Sequence, residues 1–182
     1  MALVTPRTWI PGTDYGTAPN LQTVSDSVLQ LQGRTPTIGG ALDFAILRQT
    51  VVQSIATSTW TSILLDVEDV DSANSHNTVT NTSRFTAVTP GYFQANASVT
   101  FGANATGVRG IRFLINGTTV VQSPVVLPTG ASAIYLSLSK LVILTAGSYV
   151  EVQGYQNSGG ALNTTYLVND NGCAMDAHWV HA

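Results

Sequence analysis

Beyond residue 41 the chain carries no apolar period of three or four residues. Short runs rich in Val, Ile, Thr and aromatic residues alternate there with turn-forming Gly, Asn and Pro. A long stretch with that punctuation and no helical spacing folds as an antiparallel sandwich or jelly roll. The spacing predicts strands over residues 44–55, 59–66, 83–88, 91–101, 108–115, 118–121, 132–141, 149–157 and 175–181. Asn116-Gly117, set between Arg112-Phe113-Leu114-Ile115 and Thr118-Thr119-Val120-Val121, reads as a two-residue hairpin whose turn needs positive φ at both positions. In residues 134–139 and 149–153 apolar and polar side chains alternate, as half-buried strands require. No repeat of 20 to 50 residues is visible, which argues against solenoids and propellers.

The first forty residues follow different rules. Pro6, Pro11 and Pro19, with Gly12 and Gly16, exclude a regular helix or a central strand over residues 1–19 and leave an extended arm. Trp9, Ile10 and Tyr15 are costly to leave in water, so the arm is expected to lie against another surface. Leu21, Val24, Val28 and Leu31 recur at three- and four-residue steps, with Asn20 as N-cap and Gly33 as stop. They predict one amphipathic helix over about 20–32, too short to stand alone. Residues 35–40 read as a hinge, giving an anchoring arm over 1–40 and an all-β head over 41–182.

Composition narrows what such a head can do. At 182 residues the chain can bury roughly two-thirds of its unfolded surface, enough for one core and a short appendage. Only 9% of residues are charged against 44% hydrophobic, which leaves broad neutral surface suited to cover by sister subunits or a larger assembly. The net charge of −3 and the single lysine, Lys140, offer no basic stripe for phosphates, so nucleic-acid binding is not expected. No run approaches the ~20 apolar residues that span a bilayer, so neither is membrane insertion. The N-terminus lacks the charged start and apolar core of a secretory signal, and the expectation is synthesis in a cytoplasm. The lone cysteine, Cys173, is expected to be a small buried hydrophobe.

The order of segments resembles a known family. Phe85, followed by Gly91-Tyr92-Phe93-Gln94-Ala95-Asn96-Ala97-Ser98-Val99, is similar to the aromatic block of the complement globular-head family, part of the tumour-necrosis-factor-like jelly rolls. The Asn116-Gly117 hairpin, the strand at 132–141, Ala146-Gly147-Ser148-Tyr149-Val150-Glu151-Val152 and a closing strand around Met175 to Trp179 continue that order. Ser148 departs from the family, which often has an acidic residue there. Trp60-Thr61, the acidic stretch 66–71, Thr89-Pro90-Gly91-Tyr92 and Asn157-Ser158-Gly159-Gly160 resemble bacteriophage virion proteins that carry such a head. Trp9-Ile10-Pro11-Gly12 with the helix behind it is similar to the attachment segments of phage tail or head-fibre proteins.

The resemblance implies a homotrimer on the virion surface, anchored to other virion proteins through Trp9, Ile10, Tyr15, Leu21, Val24, Val28 and Leu31. Tyr155, Tyr166 and Trp179 are the aromatic candidates for the trimer interface. Loops bearing Asn74, His76, Asn104, Asn157 and Asn171 are candidates for contact with a host-cell-surface glycan or receptor, because Asn, Thr and Ser offer adaptable hydrogen bonds. A capsid decoration or head fibre with a purely structural role is the alternative, and a polysaccharide depolymerase a more distant one.

Enzymatic and metal chemistry find little foothold. Asp66, Glu68, Asp69 and Asp71 are weak metal candidates, since their order lacks the glycine and spacing of a Ca²⁺ loop, and they read first as a solvated loop. Asp66 and Glu68 would share a strand face but have no acidic partner on another element. His76 reads as a solvent-exposed loop residue, and His178 and His181, three apart on a strand, do not chelate one metal. No Gly-x-Ser-x-Gly elbow and no phosphate loop occurs, so no catalytic residue and no cofactor are expected.

Overall fold

The computed structural model describes residues 43–122, 125–127, 132–165 and 172–182, all within the unit Ala41–Ala182. The expected arm and helix, with Trp9, Ile10, Tyr15, Leu21, Val24, Val28 and Leu31, lie outside the described residues, as do Tyr166 and Asn171. Among the described residues every regular element is a strand: β1 (Phe44–Arg48), β2 (Ser54–Ile55), β3 (Thr61–Ser62), β4 (Val67–Asp71), β5 (Arg84–Thr86), β6 (Gly91–Phe101), β7 (Arg109–Ile115), β8 (Thr119–Gln122), β9 (Val125–Val126), β10 (Ile134–Leu144), β11 (Tyr149–Gln156), β12 (Leu162–Asn163) and β13 (Ala174–His181).

These strands form two facing antiparallel sheets and a separate two-stranded one, β12-β2. The first runs β10-β6-β13-β1-β4, so the first and last strands of the head lie side by side; the second runs β3-β11-β7-β8, with β5 also on β11 and β9 on β7. Alternation sets the core. Phe93, Ala95, Ala97, Val99 and Phe101 point inward from β6, and meet Ile111 and Phe113 of β7 and Val150 and Val152 of β11. Gly154 continues the inward row of β11, and a Cβ there would come within 3.0 Å of Phe101 Cζ and 3.3 Å of Ile63 Cδ1. The missing side chain makes room for the Phe101 ring between the sheets. Asn116 and Gly117 have φ of 51° and 71°, as the two-residue turn demands.

The strand expected over 44–55 stops at Arg48, and the one expected over 59–66 shrinks to β3. Side chains take over the hydrogen bonding there. Gln49 donates to the Leu64 carbonyl at 3.0 Å, Gln53 donates to the Ser62 carbonyl at 2.9 Å, and the Leu64 amide donates back to Gln53 at 3.0 Å. A glutamine amide mimics a peptide unit, so the ladder is replaced without orphaning the backbone. The acidic stretch read as a solvated loop is instead β4, an edge strand paired with β1 from Arg48↔Val67 to Ala45↔Asp71. Acidic side chains on an edge discourage further strand pairing, which is what a composition argument for a loop overlooks.

The pairing sets two ends and two flanks. The end of β1, the β6–β7 connection and the end of β11 meet at an apical end, while the start of β1, the β5–β6 connection and the Asn116-Gly117 hairpin meet at the base. β10 and β8 lie along one flank, β4 and β3 along the other.

Candidate functional site

The apical rim is built from three loops tied to one another. The Ser58 amide donates to the Gln156 carbonyl at 2.6 Å, and the Gly159 amide to the Thr57 hydroxyl at 3.3 Å. Fully buried Gln156 donates to the carbonyls of Ile55 and Gly160, at 2.9 and 2.8 Å. Asn157 accepts the Val108 amide at 2.5 Å through Oδ1, and Asn104 accepts the Thr106 amide at 2.8 Å. Gly107, at φ 74°, lets this contact form, since a Cβ would sit 2.4 Å from the Asn157 carbonyl oxygen.

Beneath this rim lies Arg109, which is fully buried. Its guanidinium donates to the carbonyls of Thr106, Val108 and Asn104 at 3.0, 3.1 and 3.0 Å, while Nε is left with no partner among the described residues. Burial lowers its pKa below the ordinary guanidinium value. Strand parity was the signal for it: Arg109 falls in the inward row with Ile111 and Phe113. Asp43, likewise missed, shares the parity of Ala45 and Leu47. It is buried, bonds the Ser75 hydroxyl, and accepts the amides of Val88 and Thr89 at 2.6 and 3.0 Å.

The predicted loop residues thus fall into two groups. Asn104 and Asn157 share the apical rim, whereas Asn74 and His76 lie in the 72–83 segment, which starts at the base and climbs the β4/β3 flank. His76 is not the exposed residue the sequence suggested. It is 8% exposed, with both ring nitrogens on backbone carbonyls. The loop folds over it because the Asp71 carboxylate accepts the amides of Ala73, Ser75 and His76 at 3.2, 3.0 and 2.9 Å.

The four acidic residues do not converge. Asp66 turns to Thr50 and Val51, Asp69 pairs with Arg48 at 2.8 Å, Asp71 organises the 72–83 segment, and Glu68 is exposed. Among the described residues no group of three or more His, Cys, Asp or Glu side chains is placed to hold a metal. His181 stacks on Tyr92 with centroids 4.4 Å apart, and His178 lies 3.9 Å from Asp176.

The two described aromatic candidates are placed apart. Trp179 packs half-buried against the head's own core and donates from Nε1 to the Pro90 carbonyl at 3.1 Å. Tyr155 lies on the outer face of the second sheet, its ring centroid 5.1 Å from that of Trp60, over which Arg112 sits at 4.3 Å. Arg112 also donates to Gln153 at 2.8 Å, so the polar and aromatic groups of this face engage one another.

Exposed apolar side chains gather on the flanks instead. Val120, Val125, Leu127, Leu141 and Ile143, on the β10/β8 side, are between 46 and 70% exposed. Val51, Val52, Leu64, Val70 and Val79, on the β4/β3 side, are between 41 and 84% exposed.

Comparison with solved structures bears on this architecture. The chain is similar to the globular domain of zebrafish complement 1qA protein, with a TM-score of 0.57 at 8% identity over 77% of this chain and 98% of that one. The head has the tumour-necrosis-factor-like jelly-roll fold. Eiger TNF from S. frugiperda matches with a TM-score of 0.57 at 10% identity, over 78% of this chain and 94% of that one. Murine APRIL matches at 0.56 and 11% identity, over 75% and 98%. No family model matches the sequence, and no curated protein does. Each match spans almost the whole of the compared domain.

Proposed function

We propose that the chain is a non-enzymatic bacteriophage virion-surface protein whose jelly-roll head forms a homotrimer and presents its apical rim to a host-cell-surface glycan or receptor. The observation that carries this reading is the pair of apolar flanks on opposite sides of the head. A surface with one apolar patch suits a two-fold dimer; two unlike patches on opposite edges suit a head-to-tail contact that closes into a ring. A three-membered ring covers both flanks of every copy, which sparse surface charge otherwise leaves in water. The second sheet's outer face, already engaged within itself, stays outward.

The rim suits recognition because it is ordered before any ligand arrives. Thr57, Ser58, Asn104, Asn157 and Ser158 sit on loops locked together by backbone and side-chain bonds, so little conformational entropy remains to be lost on binding. The virion setting rests on the likeness of residues 60–61, 66–71, 89–92, 157–160 and 9–12 to phage proteins. Residues 1–40 are then the segment held by other virion proteins.

The test is adsorption of the labelled full chain to a panel of bacterial strains and to arrayed envelope glycans. Saturable binding is expected, and exposed Ala105→Arg on the rim should abolish it without shifting Tm. No adsorption at high concentration overturns the receptor role and leaves a structural decoration. Release of reducing ends from the envelope points to a depolymerase.

A further inference from the structure

We propose that Lys140 of one copy pairs with Glu68 of the next, and that this pair fixes the direction in which the heads close into a ring. The inference deepens the trimer reading above and rests on it. Within the head the arginines of the described residues are matched: Arg48 by Asp69, Arg84 by Glu151, Arg109 by loop carbonyls and Arg112 by Gln153. The other carboxylates hold backbone amides, a side-chain amide or those arginines. Among the described residues Lys140 is the one cation, and Glu68 the one carboxylate, without a partner.

Their placement is what a ring needs. β10 and β4 are the two edges of the first sheet. Lys140 stands opposite Ala95 and Glu68 opposite Leu47, so both belong to rows that point into the core, yet both are exposed. At the margin of the sandwich an inward-facing side chain leaves by the open flank. The ladder fixes their levels. From Lys140 the row runs through Ala95, Ala177 and Ala45, and from Glu68 it runs through Leu47, Met175 and Ala97 to Leu138, two residues short of Lys140. That offset is about 7 Å along a strand, within the combined reach of a lysine and a glutamate. A closed ring has no rise from copy to copy, so the two flanks meet only where their levels agree.

The pair also decides between modes of association. Leu141 and Ile143 beside Lys140, and Val70 beside Glu68, are exposed apolar side chains that would let either flank adhere to its own kind. Two β10 flanks brought together two-fold set Lys140 near Lys140, and two β4 flanks set Glu68 near Glu68. Only unlike flanks bring opposite charges together, so the same two residues favour the ring and disfavour the two-fold dimer. A charge on an edge strand also guards against strand pairing. That role needs no particular partner, and exchanging the two charges separates it from a direct contact.

Sedimentation of the full chain tests it in four proteins: wild type, Lys140→Glu, Glu68→Lys and the double reversal. Each single reversal sets like charges against each other at every contact of the ring, and should raise the protein concentration at which assembly is half complete about ten-fold or more. The double variant restores opposite charges with their positions exchanged, and should assemble within about three-fold of wild type. Single variants that assemble like wild type, or a double variant no better than the worse single one, overturn the pair and leave the trimer standing. A wild type that stays monomeric overturns the trimer and the pair with it. Should a reversal fail to fold, Lys140→Gln and Glu68→Gln read the same coupling: the neutral double variant should lose no more than either single one, and losses that multiply overturn the proposal.

Discussion

The Asp66 carboxylate accepts the backbone amide of Thr50 at 2.6 Å, standing in for the strand partner that Thr50 lacks after β1 ends. Burial alone would raise its pKa, but the Thr50 hydroxyl, the Thr50 and Val51 amides and its own amide outweigh that and hold it below the ordinary 3.8. The folded head therefore gives up this proton more readily than the unfolded chain. The stabilisation is present above the ordinary value and is lost as pH falls below it. Asp66→Asn should be less stable than wild type at neutral pH, and the gap should narrow as urea titrations are taken below the ordinary carboxyl value. A gap that is constant with pH would show that the bonds to Thr50 and Val51 do not depend on charge.

Arg109 closes the apical end from within, and no carboxylate balances it among the described residues. Arg109→Ala should leave the Thr106 and Asn104 carbonyls without this donor, Val108 keeping the Asn157 amide, and a void under the rim, costing about 3 kcal/mol in urea unfolding. Limited proteolysis should then cut first within residues 102–107. Unchanged stability would mean that the loop carbonyls find water instead.

Cys173 is 1% exposed, and burial, only partly offset by the bond at Thr100, pushes its thiol from 9.0 up to about 11. Since the thiolate is the reactive form, the native chain should react with a disulfide reagent at pH 8 at least about 100-fold more slowly than free cysteine. Urea should restore the free rate. Fast labelling of native protein would place the thiol at the surface.

Much of the fold was legible because one signal repeats. Alternation placed β6, β7, β11 and β13 to within a residue or two, and Asn116-Gly117 announced its turn chemistry outright. The parts that were not legible are those where side chains replace backbone pairing. Gln49, Gln53 and Asp66 end strands that composition would have continued, and nothing local marks them as doing so. His76 failed for a related reason: its loop is polar in sequence, yet Asp71 gathers that loop's amides and folds it over the ring. Arg109 was legible in principle, since its parity with Ile111 and Phe113 points it inward.

The two flanks make a paired prediction. Ile143→Glu on the β10 edge, or Val70→Glu on β4, should each disrupt assembly alone, because one flank of a ring cannot be covered without the other. Size-exclusion profiles should shift for both. Loss of assembly in one variant only would assign the contact to a single self-complementary patch.

Sedimentation equilibrium of the full chain tests the account most directly. The predicted mass is three times the 19.1 kDa of the single chain, unchanged over a wide range of protein concentration. A species of one chain mass at micromolar concentration, with both apolar flanks in water, would contradict it.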